Sequence, residues 1–245
     1  MQIQHAAAET NAVLHARLDE VRERIAQCAV RCNRAPEEIT LVAVSKTHAA
    51  EAVREAWAAG ARDFGENRVQ ETEEKLAPLR DLDLRWHLIG RLQANKARRA
   101  VKIFDLIHSI DSAALVERLE RLCAEEGRES LPILVQVDLA GEATKAGAGE
   151  AELPGILATL KSCQQVRCVG LMTLPPFFDE AEQVRPYFHR LRELRDELRE
   201  HGAFAAGGGT GELSMGMSHD FEVAIEEGAT MVRVGTSIFG ARGKA

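Results

Sequence analysis

The segment LSMGMSHDFEVAIEEGATMVRVGTSIFG, residues 213–240, reads as strand, turn, short helix, strand and turn. Ser214, Gly216 and Ser218 precede the helix, while Gly235, Thr236 and Ser237 follow the apolar run at residues 231–234. Glycine stands at Gly228, just past the last helical turn, where it ends a helix at least conformational cost. Two glycine-and-hydroxyl turns flanking one helix let backbone N–H groups and hydroxyls converge on a single anion such as a phosphate.

Outward from this unit the same alternation recurs through the chain. Short β-rich runs at 40–45, 61–65, 86–90, 106–110, 133–137 and 168–172 join those at 212–215 and 231–234. Between them lie helical patterns such as AAEAVREAWAAG, ending on Gly60, and SAALVERLERLCAEEG, ending on Gly127. Eight strand–helix repeats predict an α/β fold of one domain over residues 1–245, a closed parallel (β/α)8 TIM barrel. A helix within 6–31 is extra to the eight repeats, so residues 1–35 are expected to form an N-terminal helical extension on the barrel exterior. Leu191, Leu194 and Leu198 predict an amphipathic outer helix over 180–201. The loops GEATKAGAG, 141–149, and TLPPFFDE, 173–180, follow strands at the end where barrel sites are built, and are candidates for covering a ligand.

Composition narrows the partners. The formal charge is −7 with both signs interspersed, and the basic stretch NKARRAVK reads as the solvated face of one helix. No nucleic-acid partner is expected. No run approaches the roughly twenty apolar residues that span a bilayer, and the N-terminus lacks a signal-peptide core, so a soluble cytoplasmic protein without membrane contact is expected. The five cysteines are odd in number with no CxxC, the pattern of reduced thiols; Cys28 and Cys32 read as small hydrophobes, with no metal. His87 and His108, each within an apolar strand, read as hydrogen-bonded structural residues. Ser218, His219 and Asp220 read as helix capping, and Met172, Met215 and Met217 as core filling.

In a barrel closed by eight strands the first pairs with the last, which brings Lys46, at the end of LVAVSK, beside Arg233 and Gly235. A partly desolvated amine near another cation is shifted toward its neutral, nucleophilic form. Beside two anion-binding turns, Lys46 therefore suggests imine formation with an aldehyde-bearing phosphate. Arg233, flanked by Val232 and Val234, points away from its apolar neighbours and can donate to a ring nitrogen.

The motifs VSK, DFGENRVQE, WHLIGRLQANK, HSIDS, GLMTLPP and the whole block from Ser214 to Gly240 resemble the pyridoxal-phosphate homeostasis proteins, in family order from the first strand onward. The resemblance implies a barrel of the alanine racemase N-terminal domain type with pyridoxal 5′-phosphate held as a Schiff base on Lys46. It also implies phosphate contacts near Ser214, Met215, Gly235 and Thr236, a ring-nitrogen contact from Arg233, and Asn67 near the ring. Arg68 stands where the family commonly has tyrosine, and Asp138 and Ala140 where asparagine and serine are usual; the lysine and phosphate motifs are intact.

A racemase or decarboxylase needs a second acid/base group facing the lysine. The single tyrosine, Tyr187, follows Pro186 on an outer helix, and no β-domain of the alanine racemase kind follows the barrel. Resemblance and residues together lead to the expectation of a non-catalytic, monomeric cofactor binder that supplies apo-enzymes. A weak pyridoxal-phosphate-dependent amino-acid enzyme and a Schiff-base sugar-phosphate aldolase are the alternatives.

Overall fold

In the computed structural model the described residues are 2–141 and 146–240. Helix α1 (Gln2–Arg31) precedes eight strands: β1 (Thr40–Val44), β2 (Asp63–Glu66), β3 (Arg85–Leu88), β4 (Leu106–Ile110), β5 (Leu131–Val137), β6 (Val166–Thr173), β7 (Glu212–Met217) and β8 (Met231–Val234). They close into one parallel barrel in sequence order. Between and after them run α2 (Ala50–Ala58), α3 (Val69–Leu76), α4 (Ala97–Ile103), α5 (Ala113–Glu125), α6 (Leu153–Lys161), α7 (Arg185–Glu200), α8 (Phe221–Glu226) and the single turn α9 (Thr236–Phe239).

Closure is made by β1 on β8, with Val42 opposite Arg233 and Ala43 opposite Val234. Alternation then sorts the side chains. Ala43, Phe64, Leu171, Leu213 and Val232 join the apolar layer between strands and helices, whereas Leu106, Leu134 and Met172 form a separate small cluster with Met231 packed on it. Met231 lies two residues from Arg233 on the same strand, so this second cluster is the barrel interior. Above it the interior is polar: His87, His108, Gln136, Ser214 and Arg233 are all buried. Such a band departs from the branched apolar layers that usually fill these barrels.

The helices end where the glycines predict, α2 before Gly60, α5 before Gly127 and α8 before Gly228, the last with φ of +93°. Helix α7 buries Phe188, Leu191 and Leu194, with Pro186 in its first turn, where a missing N–H is harmless. Strand ends differ from the expected ones. β2 starts at Asp63, and β5 and β6, both longer than expected, pair from Leu131 with Val166 to Val137 with Thr173 across a register shift near Ile133. Helix α1 runs unbroken from Gln2, packs on α2, α8 and α9, and buries Leu14, Leu18, Val21 and Ile25. Of the loop 141–149, residues 142–145 lie outside the described residues. Among the described residues no helix is long and apolar enough to cross a membrane.

Candidate functional site

Lys46 is the second residue past β1. A Cβ added to Gly65 on β2 would meet Val42 and Val44 at 3.1 and 3.4 Å, and neither valine belongs to the outer apolar layer. Both therefore face the interior, and alternation carries the half-buried Lys46 to the same side. Its neighbours are tied down. The Ser45 hydroxyl donates to Glu66 Oε1 at 2.7 Å, Lys75 Nζ donates to the Ser45 carbonyl at 2.9 Å and to Glu66 Oε1 at 2.6 Å, and the Thr47 amide donates to the Glu71 carboxylate. Thr47 also adopts a left-handed φ of +67°. Burial raises the Glu66 carboxyl above its ordinary range, against the pull of Lys75 and Ser45, and its Oε2 has no hydrogen-bond partner.

The strand on the other side of β1 supplies Arg233 and Gly235. Arg233 is 3 % exposed; its NH1 donates to Ser214 Oγ at 2.5 Å and its NH2 to the Thr173 carbonyl at 2.9 Å. Burial pushes this guanidinium down to about 10, with Asp220 opposing the shift. Gly235 lies against the end of β1, where an added Cβ would stand 3.3 Å from the Val44 carbonyl oxygen. The Gly235 amide donates to Ser218 Oγ at 3.2 Å, which fastens the turn after β7 to the turn after β8. Thr236 opens α9, and the amides of Thr236 and Ser237 have no acceptor within that turn of helix. Gly216, at φ +90°, lets the first turn close on α8: a Cβ there would be 2.6 Å from the Ala224 Cβ.

Lys46, Arg233, Gly235 and Thr236 thus gather at the C-terminal end of the β1–β8 seam. Asn67 stands at the end of β2, half-buried, with its backbone pressed by Gly90, whose added Cβ would come within 2.4 Å of the Asn67 carbonyl oxygen. Ser214 is placed otherwise than a surface phosphate turn would suggest: its hydroxyl is fully buried between Arg233 and His108 Nδ1, the latter at 2.9 Å. Met215 is fully buried in the outer apolar layer, leaving its backbone as the part that could meet a ligand. Ser218 does not cap α8; Asp220 stands at the cap position and accepts the Met217 amide at 2.6 Å. His219 meets the Asp179 carbonyl at 3.0 Å and the Phe177 ring at 5.4 Å, which pins the loop after β6 to the turn after β7.

Two interior residues have partners that reach far beyond their own strands. His87 Nδ1 lies 2.9 Å from His108 Nε2, and His87 Nε2 lies 3.0 Å from Asp63 Oδ1. Burial, then the nearby His87 and Arg233, hold the His108 imidazole well below 6.5. Arg68 is exposed at the start of α3, and Asp138 Oδ1 accepts the amides of Ala140 and Gly141 at 3.0 and 3.2 Å. A cavity of about 1040 Å³ opens on the same face at the loops after β3 and β4, lined by Arg91, Asn95, Asp111, Arg118 and Arg121 among others; none of the seven residues singled out from sequence lines it. The described cysteines are all free, and burial pushes Cys168 up to about 12.

The family model for the alanine racemase N-terminal domain matches residues 16–243. A protein of Aquifex aeolicus named pyridoxal phosphate homeostasis protein is 44% identical over 226 residues, covering 92% of this chain and 97% of that one. Its namesake in Escherichia coli K12 is 42% identical over 233 residues, covering 92% and 95%. The structure of PipY from Synechococcus elongatus PCC7942 with pyridoxal phosphate bound superposes with a TM-score of 0.81 at 45% identity, covering 93% of this chain and all of that one. An alanine racemase of Clostridium difficile shares the fold at 16% identity, with a TM-score of 0.66. Sequence, barrel and relatives agree: the chain belongs to the pyridoxal phosphate homeostasis protein family, built on the alanine racemase N-terminal domain.

Proposed function

We propose that this protein binds pyridoxal 5′-phosphate and holds it in reserve, serving cofactor homeostasis with little or no turnover of its own. The observation that carries this reading is the meeting of Lys46, on the interior side of β1, with the joined turns after β7 and β8 and with buried Arg233. The names of the relatives and the bound cofactor in PipY support it.

The residues fit the group. Gly235 presents bare backbone beside β1, and the amides of Thr236 and Ser237, with the backbone around Ser214 and Met215, make a donor set suited to a phosphate. Arg233 spends two of its five N–H groups on Ser214 and Thr173 and keeps others for a ring nitrogen, which a guanidinium holds unprotonated because it can only donate. Asn67 approaches from β2. A bound cofactor would supply an aldehyde for a lysine amine, and Lys46 is the residue placed to hold it; the pinning of Ser45 and Thr47 fixes where its side chain starts.

Little turnover follows from what faces Lys46. Tyr187 lies on α7, outside the barrel, stacked on Phe178 at 5.9 Å, so it cannot act as the second acid/base group that racemisation requires. A monomer in the cytoplasm that passes cofactor to apo-enzymes completes the reading.

Purified protein mixed with pyridoxal phosphate should show a visible band that borohydride abolishes, with the reduced adduct mapped by mass to Lys46 and absent from Lys46→Ala. No band and no adduct would overturn the reading and bring a sugar-phosphate ligand forward. Loss of the α-proton from free amino acids in deuterated water, at a rate well above that of free cofactor, would instead make the protein a weak amino-acid enzyme.

A further inference from the structure

The polar band in the barrel interior is a continuous chain of hydrogen bonds. Arg85 NH2 donates to Asp63 Oδ2 at 2.6 Å at the N-terminal rim. From Asp63 the chain passes through His87, His108 and Ser214 to Arg233, with links of 3.0, 2.9, 2.9 and 2.5 Å. It crosses the barrel interior through side chains of β2, β3, β4, β7 and β8, and every member from Asp63 to Arg233 is buried.

The chemistry of the ends fixes the direction of every proton. A guanidinium has no acceptor, so Ser214 Oγ accepts from Arg233. The hydroxyl hydrogen of Ser214 then points at His108 Nδ1, which must be the unprotonated nitrogen. His108 carries its hydrogen on Nε2 and donates it to His87 Nδ1, and His87 donates from Nε2 to the Asp63 carboxylate. All groups are satisfied with both rings neutral. In the reverse arrangement His108 Nδ1–H would also point at Ser214 Oγ, and the hydroxyl hydrogen would have no acceptor among these partners.

We propose that Asp63, His87, His108 and Ser214 form a one-directional relay that holds Arg233 in a single orientation and thereby sets the protonation of the cofactor's ring nitrogen. This rests on the cofactor reading given above. His108 is a positioning residue: it acts on the ring through Ser214 and Arg233. The groups that face it are His87 from β3 and Arg233 from β8; behind these stand Asp63 and Arg85 on one side and Asp220 on the other. Displacing Ser214 leaves a buried Arg233 N–H without an acceptor, a loss that weakens ligand holding by about tenfold.

Two measurements test this. In ligand-free protein with nitrogen-15-labelled histidine, the Nε2–H tautomer is expected for both His87 and His108 at neutral pH, with slowly exchanging imidazole protons. An Nδ1–H on His108 would overturn the proposed direction. In cofactor-loaded protein, Ser214→Ala and His108→Gln should shift the pH at which the visible band changes, and Ser214→Ala should bind about tenfold more weakly, while Ser214→Thr, which keeps the hydroxyl, should restore part of that lost affinity; circular dichroism verifies folding of each variant. Unchanged spectral titration and affinity in a folded Ser214→Ala protein would overturn the relay while the Lys46 adduct still forms. Absence of that adduct from native protein would overturn the cofactor reading instead, and the tautomer measurement would still decide the direction of the chain.

Discussion

Lys46 owes its placement to buried neighbours just past β1, on β2 and on α3. Glu66, fully buried, holds Ser45 and Lys75 together beneath it. Glu66→Ala removes the close counter-charge of the buried Lys75 ammonium, leaving it the Ser45 carbonyl and Glu71 at 3.9 Å, and urea unfolding should show a loss of about 3 kcal/mol; Glu66→Met with Lys75→Met should recover much of it. His108 offers a pH test. Its folded-state pKa is depressed below the 6.5 of the unfolded chain, so below pH 6.5 the unfolded state binds the extra proton. Its contribution to stability is therefore complete above 6.5 and is lost as pH falls toward the folded value, by up to about 1.4 kcal/mol per pH unit. The melting temperature of native protein should drop more steeply from pH 7 to 5 than that of His108→Gln. The nearness of Lys46 to Arg233 was legible in the sequence because closure of the barrel makes neighbours of its first and last strands. The partners of His87 and His108 were not, since each lies on a different strand and a lone histidine in an apolar run says nothing about what faces it.

Among the elements, α8 decides how the turns after β7 and β8 meet. Its packing on Gly216 is close enough to exclude any side chain, and the positive φ there adds strain for every other residue. Gly216→Ala should lower stability by about 2 kcal/mol and separate Ser218 from Gly235, so that phosphate-bearing ligands bind more weakly in calorimetry. Strand existence and order were readable from alternating runs and glycine-terminated helices. Strand ends were less so: the register shifts in β5–β6 and β7–β8 arise from partners on adjacent strands, which local pattern does not encode. The capping role expected of Ser218 failed for the same reason, because its hydroxyl found a better-placed amide on β8's turn than on its own helix.

For the molecule as a whole, α1 is the cover over the seam. Leu18 is fully buried, Arg24 on the helix meets Glu222 on α8 at 3.2 Å, and Arg34, three residues past the helix end, donates from NH1 to the Ala229 carbonyl at 2.8 Å, so α1 and the turn after it bond to the segment that leads into β8. Leu18→Ala should destabilise the fold by about 2–5 kcal/mol in denaturant titration. The seam itself has a temporal meaning. Pairing β1 with β8 joins stretches near opposite ends of the sequence, and the entropy of closing so long a loop defers that step to late in folding. A nascent chain with β8 still inside the ribosome would carry Lys46 without Gly235 and Thr236 beside it. Capture of a phosphorylated aldehyde at the proposed site would therefore wait until β8 has emerged and the ring has shut.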